Sequence, residues 1–99
     1  MKLDYAIEAI QNLEESLDVT CEGMSLQKRE ELVSKIFKEA ERLIKYPRAG
    51  QIEPLMEGMR FEYRRLVVGN FKIIYRIDGE WIRITDIFDA RQDPKRMRG

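Results

Sequence analysis

Seven side chains in the second half of this 99-residue chain are of types that hold anions or stack on flat rings: Tyr63, Arg65, Lys72, Arg76, Trp81, Arg83 and Arg91. Guanidinium and ammonium groups neutralise phosphates, and aromatic faces take bases. Within each run the spacing is even (63 and 65, 72 and 76, 81 and 83), so an extended chain presents each set on one side. Counting by twos beyond the last run carries Asp89 and Arg91 to the same side. The chemistry this suggests is phosphate or nucleoprotein binding. The plain alternative is the wet face of an antiparallel sheet blunted by long cations, with Trp81 shielding Arg76 by cation–π contact.

Those residues need a sheet to hold them. Strands are expected near 59–68, 71–77 and 81–88, joined by Gly69-Asn70 and Asp78-Gly79, dipeptides that tolerate the positive φ of two-residue hairpins. Such turns set register, and register sets faces. Leu66, Val68, Phe71, Ile73, Tyr75, Ile77, Ile82, Ile84 and Phe88 then share the core side, with Arg64 and Asp86 at its rim. Tyr63, Arg65, Val67, Lys72, Ile74, Arg76, Trp81, Arg83, Thr85 and Ile87 share the open side, continued by Asp89 and Arg91.

Helices are expected to cover the core side. Ile7, Ile10, Leu13 and Leu17 recur at spacings of three and four, as do Leu26, Leu32, Val33, Ile36, Phe37, Ala40, Leu43 and Ile44. Gly23 separates the two stripes, Ser25 is placed to cap the second helix, and Pro47 ends it. The short connection predicts an antiparallel helix hairpin. The expected layout is one domain over 1–99: a short strand at about 1–5, the helix hairpin at 6–46, the antiparallel sheet at 59–88 and a basic tail at 89–99. Residues 47–59 read as a loop.

Composition narrows the function. The chain is 43% hydrophobic and 36% charged, a globular balance richer in charge than usual. No apolar run approaches the ~20 residues of a membrane span, and no apolar leader directs export. Cys21 is the sole cysteine, which suits a reducing, cytoplasmic setting. The absence of histidine removes the commonest general acid–base group and argues against an ordinary zinc site, so no metal or cofactor is expected. The zero net charge is unevenly spread. Residues 1–59 carry 8 Lys and Arg against 12 Asp and Glu, and residues 60–99 carry 10 against 6. A polyanion-binding surface, if present, belongs to the second half.

The segments "YPRAGQIEPL" and "YRRLVVGNFKIIYRIDGEWIRITDIFDARQDPKR" resemble the RelE/ParE superfamily of bacterial toxins from type II toxin–antitoxin (plasmid stabilisation) modules. The matching pieces are Pro47 and Gly50, Arg64/Arg65-Leu66, Phe71-Lys72-Ile73-Ile74-Tyr75, and Ile84 through Arg91, in an order that covers nearly the whole chain. The resemblance implies an α+β fold: a short N-terminal strand, an antiparallel helix hairpin and a three-stranded antiparallel meander. It also implies a cognate antitoxin partner.

Two targets occur in the superfamily. RelE-like members cleave mRNA at the ribosome, and ParE-like members poison DNA gyrase. By the RelE pattern, Arg65, Lys72 and Arg91 would surround a scissile phosphate. Arg65 stands where that pattern has a proton-accepting lysine, and a guanidinium stays protonated. The tyrosine position near the C-terminus falls at about Met97. Lys72 and Arg91 remain as candidate catalytic cations, and Asp89 as the candidate base. The leading expectation is a ParE-like toxin that inhibits growth by binding gyrase or another nucleoprotein. A ribosome-dependent mRNA endonuclease is the alternative, and a nontoxic remnant or adaptor the third.

Overall fold

In the computed structural model, which describes residues 1–91, the chain runs β1 (Lys2–Tyr5), α1 (Ile7–Thr20), α2 (Leu26–Glu41), a 3-10 turn (Arg42–Ile44), β2 (Gln51–Ile52), a second 3-10 turn (Pro54–Met56), β3 (Tyr63–Val68), β4 (Phe71–Asp78) and β5 (Trp81–Asp89). This is the expected α+β order. The sheet has five strands in the order β1-β5-β4-β3-β2, with β1 parallel to β5 and the other pairs antiparallel. The expected tail at 92–99 and the Met97 position lie outside the described residues. No helix among the described residues is long and apolar enough to cross a membrane.

Both helices pack on one face of the sheet, α1 across β5 and α2 across β3 and β4. Ala9, Leu13, Leu17, Ile36, Ala40 and Leu43 meet Phe71, Ile73, Tyr75, Ile82, Ile84 and Ile87 in the main core. Ser25 caps α2, its hydroxyl accepting the Lys28 N–H at 3.2 Å. Three expected stripe members, Ile7, Leu26 and Ile44, are exposed. Ile7 and Leu26 open their helices. Ala6 and Ala9, small enough for close approach, take the buried positions at the start of α1 in place of Ile7.

The hairpins set most of the expected faces. Val68 opposes Phe71, Leu66 opposes Ile73 and Arg64 opposes Tyr75. The second loop is Gly79-Glu80 rather than Asp78-Gly79, since Asp78 opposes Trp81 and Ile77 opposes Ile82. Both loops put a positive-φ glycine first, Gly69 at 59° and Gly79 at 61°, the place where a II′ turn needs it. The change of partner is a two-residue shift, so the faces survive it.

A bulge does not leave them intact. Tyr75 opposes Ile84, but Ile74 opposes Asp86, so Thr85 is an extra residue in β5. One extra residue inverts the alternation beyond it. Ile87, expected on the open side, enters the helix-covered core. Phe88, expected in that core, joins Met56, Tyr63 and Ile74, with Phe61 alongside, in a second apolar cluster. Asp89 turns to the helix side, where it accepts from the Thr20 hydroxyl of α1 at 2.6 Å. Asp86, expected at the rim, is fully buried and accepts from the Asn12 amide at 2.9 Å. The supposed open face is therefore part-covered by the segment 53–61.

Candidate functional site

Glu53 organises the outer face. As the residue before Pro54 it is held extended (φ −84°, ψ 108°), because the proline ring disfavours helical backbone there. Its N–H donates to the Tyr63 carbonyl at 2.9 Å, continuing the β2–β3 pairing. Gln51 opposes Arg65, so strand alternation brings Glu53 to the same side as Arg65 and Lys72. Its side chain is fully buried. One oxygen, Oε1, accepts the Leu55 N–H at 3.1 Å. The other, Oε2, lies 3.5 Å from Arg65 Nη1 and 3.8 Å from Lys72 Nζ, with no hydrogen-bond partner among the described residues.

Arg65 is fixed independently of that carboxylate. Its Nη1 donates to the Ile52 carbonyl at 3.2 Å and its Nη2 to Gln51 Oε1 at 3.3 Å. The Arg76 guanidinium lies over Phe61, 4.0 Å from the ring centroid, and donates to the Tyr63 hydroxyl at 3.1 Å. It stands 3.9 Å from Asp78. The shielding ring is thus Phe61 and not Trp81. Trp81 instead carries the Lys2 ammonium, 5.4 Å from its centroid, a consequence of the β1–β5 register that sets Lys2 beside Trp81. Arg83 pairs with Asp4 at 2.5 Å on the same two strands.

Arg91 and Asp89 belong elsewhere. Arg91 grips Asp89 through its backbone N–H at 2.9 Å, Nε at 3.0 Å and Nη2 at 2.6 Å. That guanidinium, with the Thr20 hydroxyl, holds the Asp89 carboxyl far below the usual carboxylate range. A carboxylate so stabilised is a weak proton acceptor. Asp89, the expected base, is therefore removed from the outer face and poorly suited to the part.

Of the seven candidate binding residues, five lie together on the outer face as cations or their neighbours: Tyr63, Arg65, Lys72, Arg76 and Arg83. Tyr63 is buried there, while Trp81 is almost half exposed at the end of the same face. Each of the four outer-face cations has a carboxylate within 4 Å. The decisive residue that sequence reasoning passed over is Glu53. Its signal was present: Gln51 and Glu53 alternate, and Pro54 favours extended backbone before it.

A sheet with two helices on one face and a cation-lined strand pair on the other is the α+β layout expected from the RelE/ParE resemblance. Residues 3–94 match the family model of the ParE toxin of the type II toxin–antitoxin system parDE. The chain belongs to that family. A chain from the chromosomal ParDE toxin–antitoxin system of P. aeruginosa superposes with a TM-score of 0.71 over 90% of this chain and 95% of that one, at 20% identity, a likeness of fold. No curated protein matches in sequence.

Proposed function

We propose that this protein is the growth-inhibiting toxin of its module and acts by binding an essential nucleoprotein, with DNA gyrase as the leading target. Alongside its family membership, the observation that supports binding over cleavage is the state of the would-be catalytic groups. Strand cleavage by a 2′-hydroxyl needs a proton acceptor and a donor at the phosphate. Arg65 cannot accept a proton, and Asp89 is ion-paired on the helix side. The contact surface on this reading is the exposed end of the outer face, Trp81 with Arg83. The test is to induce the protein in bacteria and follow plasmid supercoiling, DNA damage and mRNA 5′ ends. Altered topology with intact transcripts is expected. Growth arrest with normal supercoiling and no damage response would eliminate gyrase, and new mRNA ends would favour the endonuclease.

The partner on this reading is a cognate antitoxin in the cytoplasm. Exposed Ile7, Val19 and Leu26 on the helices supply apolar anchors of the kind an amphipathic segment uses. Relief of growth arrest by coexpressing the adjacent reading frame is the expected result.

A further inference from the structure

The Glu53 carboxylate occupies a place built for an anion. Two cations on different strands, Arg65 of β3 and Lys72 of β4, lie within 4 Å of one oxygen that is buried and, among the described residues, lacks a hydrogen bond. A buried carboxylate oxygen is ordinarily hydrogen-bonded. At 3.5 and 3.8 Å the ion pairs are also longer than charge-assisted hydrogen bonds. Arg65 is also held by bonds that do not involve Glu53, to the Ile52 carbonyl and to Gln51. The seat is thus preorganised and its present occupant fits it loosely.

We propose that Glu53 is an intramolecular plug in a phosphodiester seat, and that a nucleic-acid phosphate takes the place of its Oε2 between Arg65 and Lys72 when the side chain swings out. This deepens the nucleoprotein reading and rests on it for the identity of the ligand. The fit is chemical. A phosphodiester is a monoanion with two free oxygens, and Arg and Lys together satisfy it. The 3-10 turn that follows, Pro54–Met56, leans on the same carboxylate through the Leu55 N–H. Release of Glu53 therefore also frees one anchor of the segment covering Ile74 and Phe88.

The experiment measures anisotropy of a labelled single-stranded oligonucleotide with the full chain at low salt. Glu53→Gln, which keeps the acceptor for Leu55, is expected to bind at least about tenfold tighter than wild type, with a salt slope steeper by about 0.7, as one added phosphate contact on a single strand predicts. Adding Arg65→Ala and Lys72→Ala should return binding to the wild-type level. Glu57→Gln changes net charge equally in the same segment and should not tighten binding. The proposal is overturned if folded Glu53→Gln binds no tighter, or if Glu57→Gln gains as much. Displacement by inorganic phosphate at micromolar concentration, with chloride at equal ionic strength having no effect, would assign the seat to the free ion and overturn the nucleic-acid reading. If Glu53→Gln does not fold, Glu53→Asp carries the test, because its shorter arm withdraws from the seat; unchanged affinity then overturns the proposal. Tighter binding together with normal supercoiling in cells would eliminate gyrase alone and leave the plug standing.

Discussion

Tyr75 and Gly50 lock the helical and sheet halves together: the Gly50 N–H donates to the Tyr75 hydroxyl at 2.9 Å, and that hydroxyl donates to the Pro47 carbonyl at 2.8 Å. The ring is fully buried. Arg64 closes the same corner, donating to the Gly50 carbonyl at 2.8 Å. The loop from α2 into β2 is thereby held at both ends by one phenol. The proline, glycine, arginine and tyrosine that carry the family resemblance meet at this corner, so their shared role is architectural.

Tyr75→Phe leaves the Pro47 carbonyl and Gly50 N–H without their partner and is expected to cost ~1–3 kcal/mol. Gly50→Ala should be at least as harmful, because a Cβ there would lie 2.6 Å from the Arg65 carbonyl oxygen and 2.7 Å from the Tyr75 hydroxyl. Urea unfolding followed by circular dichroism checks both. Wild-type midpoints would refute the lock.

Asp89 predicts an acid-sensitive element. Its carboxyl is held below the unfolded value by Arg91 first and by Thr20 as well. A depressed carboxylate contributes stability above the unfolded pKa, about 3.9 for aspartate, and loses it as pH falls toward the folded value. Asp89→Asn should therefore destabilise at pH 7 and show little further loss from this site on acidification. Melting temperatures from pH 7 to pH 2 would show the wild-type and variant curves converging.

The bulge makes a claim about Phe88. If β5 continued in plain alternation, Phe88 would face the helices. Instead it packs with Met56, Tyr63 and Ile74 on the outer face. Phe88→Ala should cost ~3–5 kcal/mol and loosen the segment 53–61 in particular. Hydrogen exchange should speed up at the Met56 and Glu57 amides more than in α1. The reverse order would place Phe88 in the main core.

Trp81 and Arg83 separate binding from folding. Trp81 is 46% exposed, and the Arg83–Asp4 pair is half-exposed on both sides. Surface pairs of this kind contribute ~0–1 kcal/mol. Trp81→Ala combined with Arg83→Ala should leave the melting temperature within a few degrees of wild type while reducing growth inhibition at equal expression. Full toxicity would move the contact surface elsewhere.

Much of this protein was determined by local chemistry alone. Ser25, Gly69 and the even spacing of apolar residues specify helices, hairpin and faces because capping, turn geometry and strand alternation act over two to four residues. The candidate cations of β3, β4 and the start of β5 are placed by the same rules. Tertiary structure decided what those rules do not reach. The extra residue at Thr85 sends Ile87, Phe88 and Asp89 to faces opposite those that counting assigns, because a bulge is chosen by packing at both ends of a strand. Glu53 lies 12 and 19 positions from Arg65 and Lys72 in the chain, and only the folding of β2 along β3 brings its charge between theirs. Sequence spacing announced a basic face, and the fold set one buried carboxylate beside two of its cations.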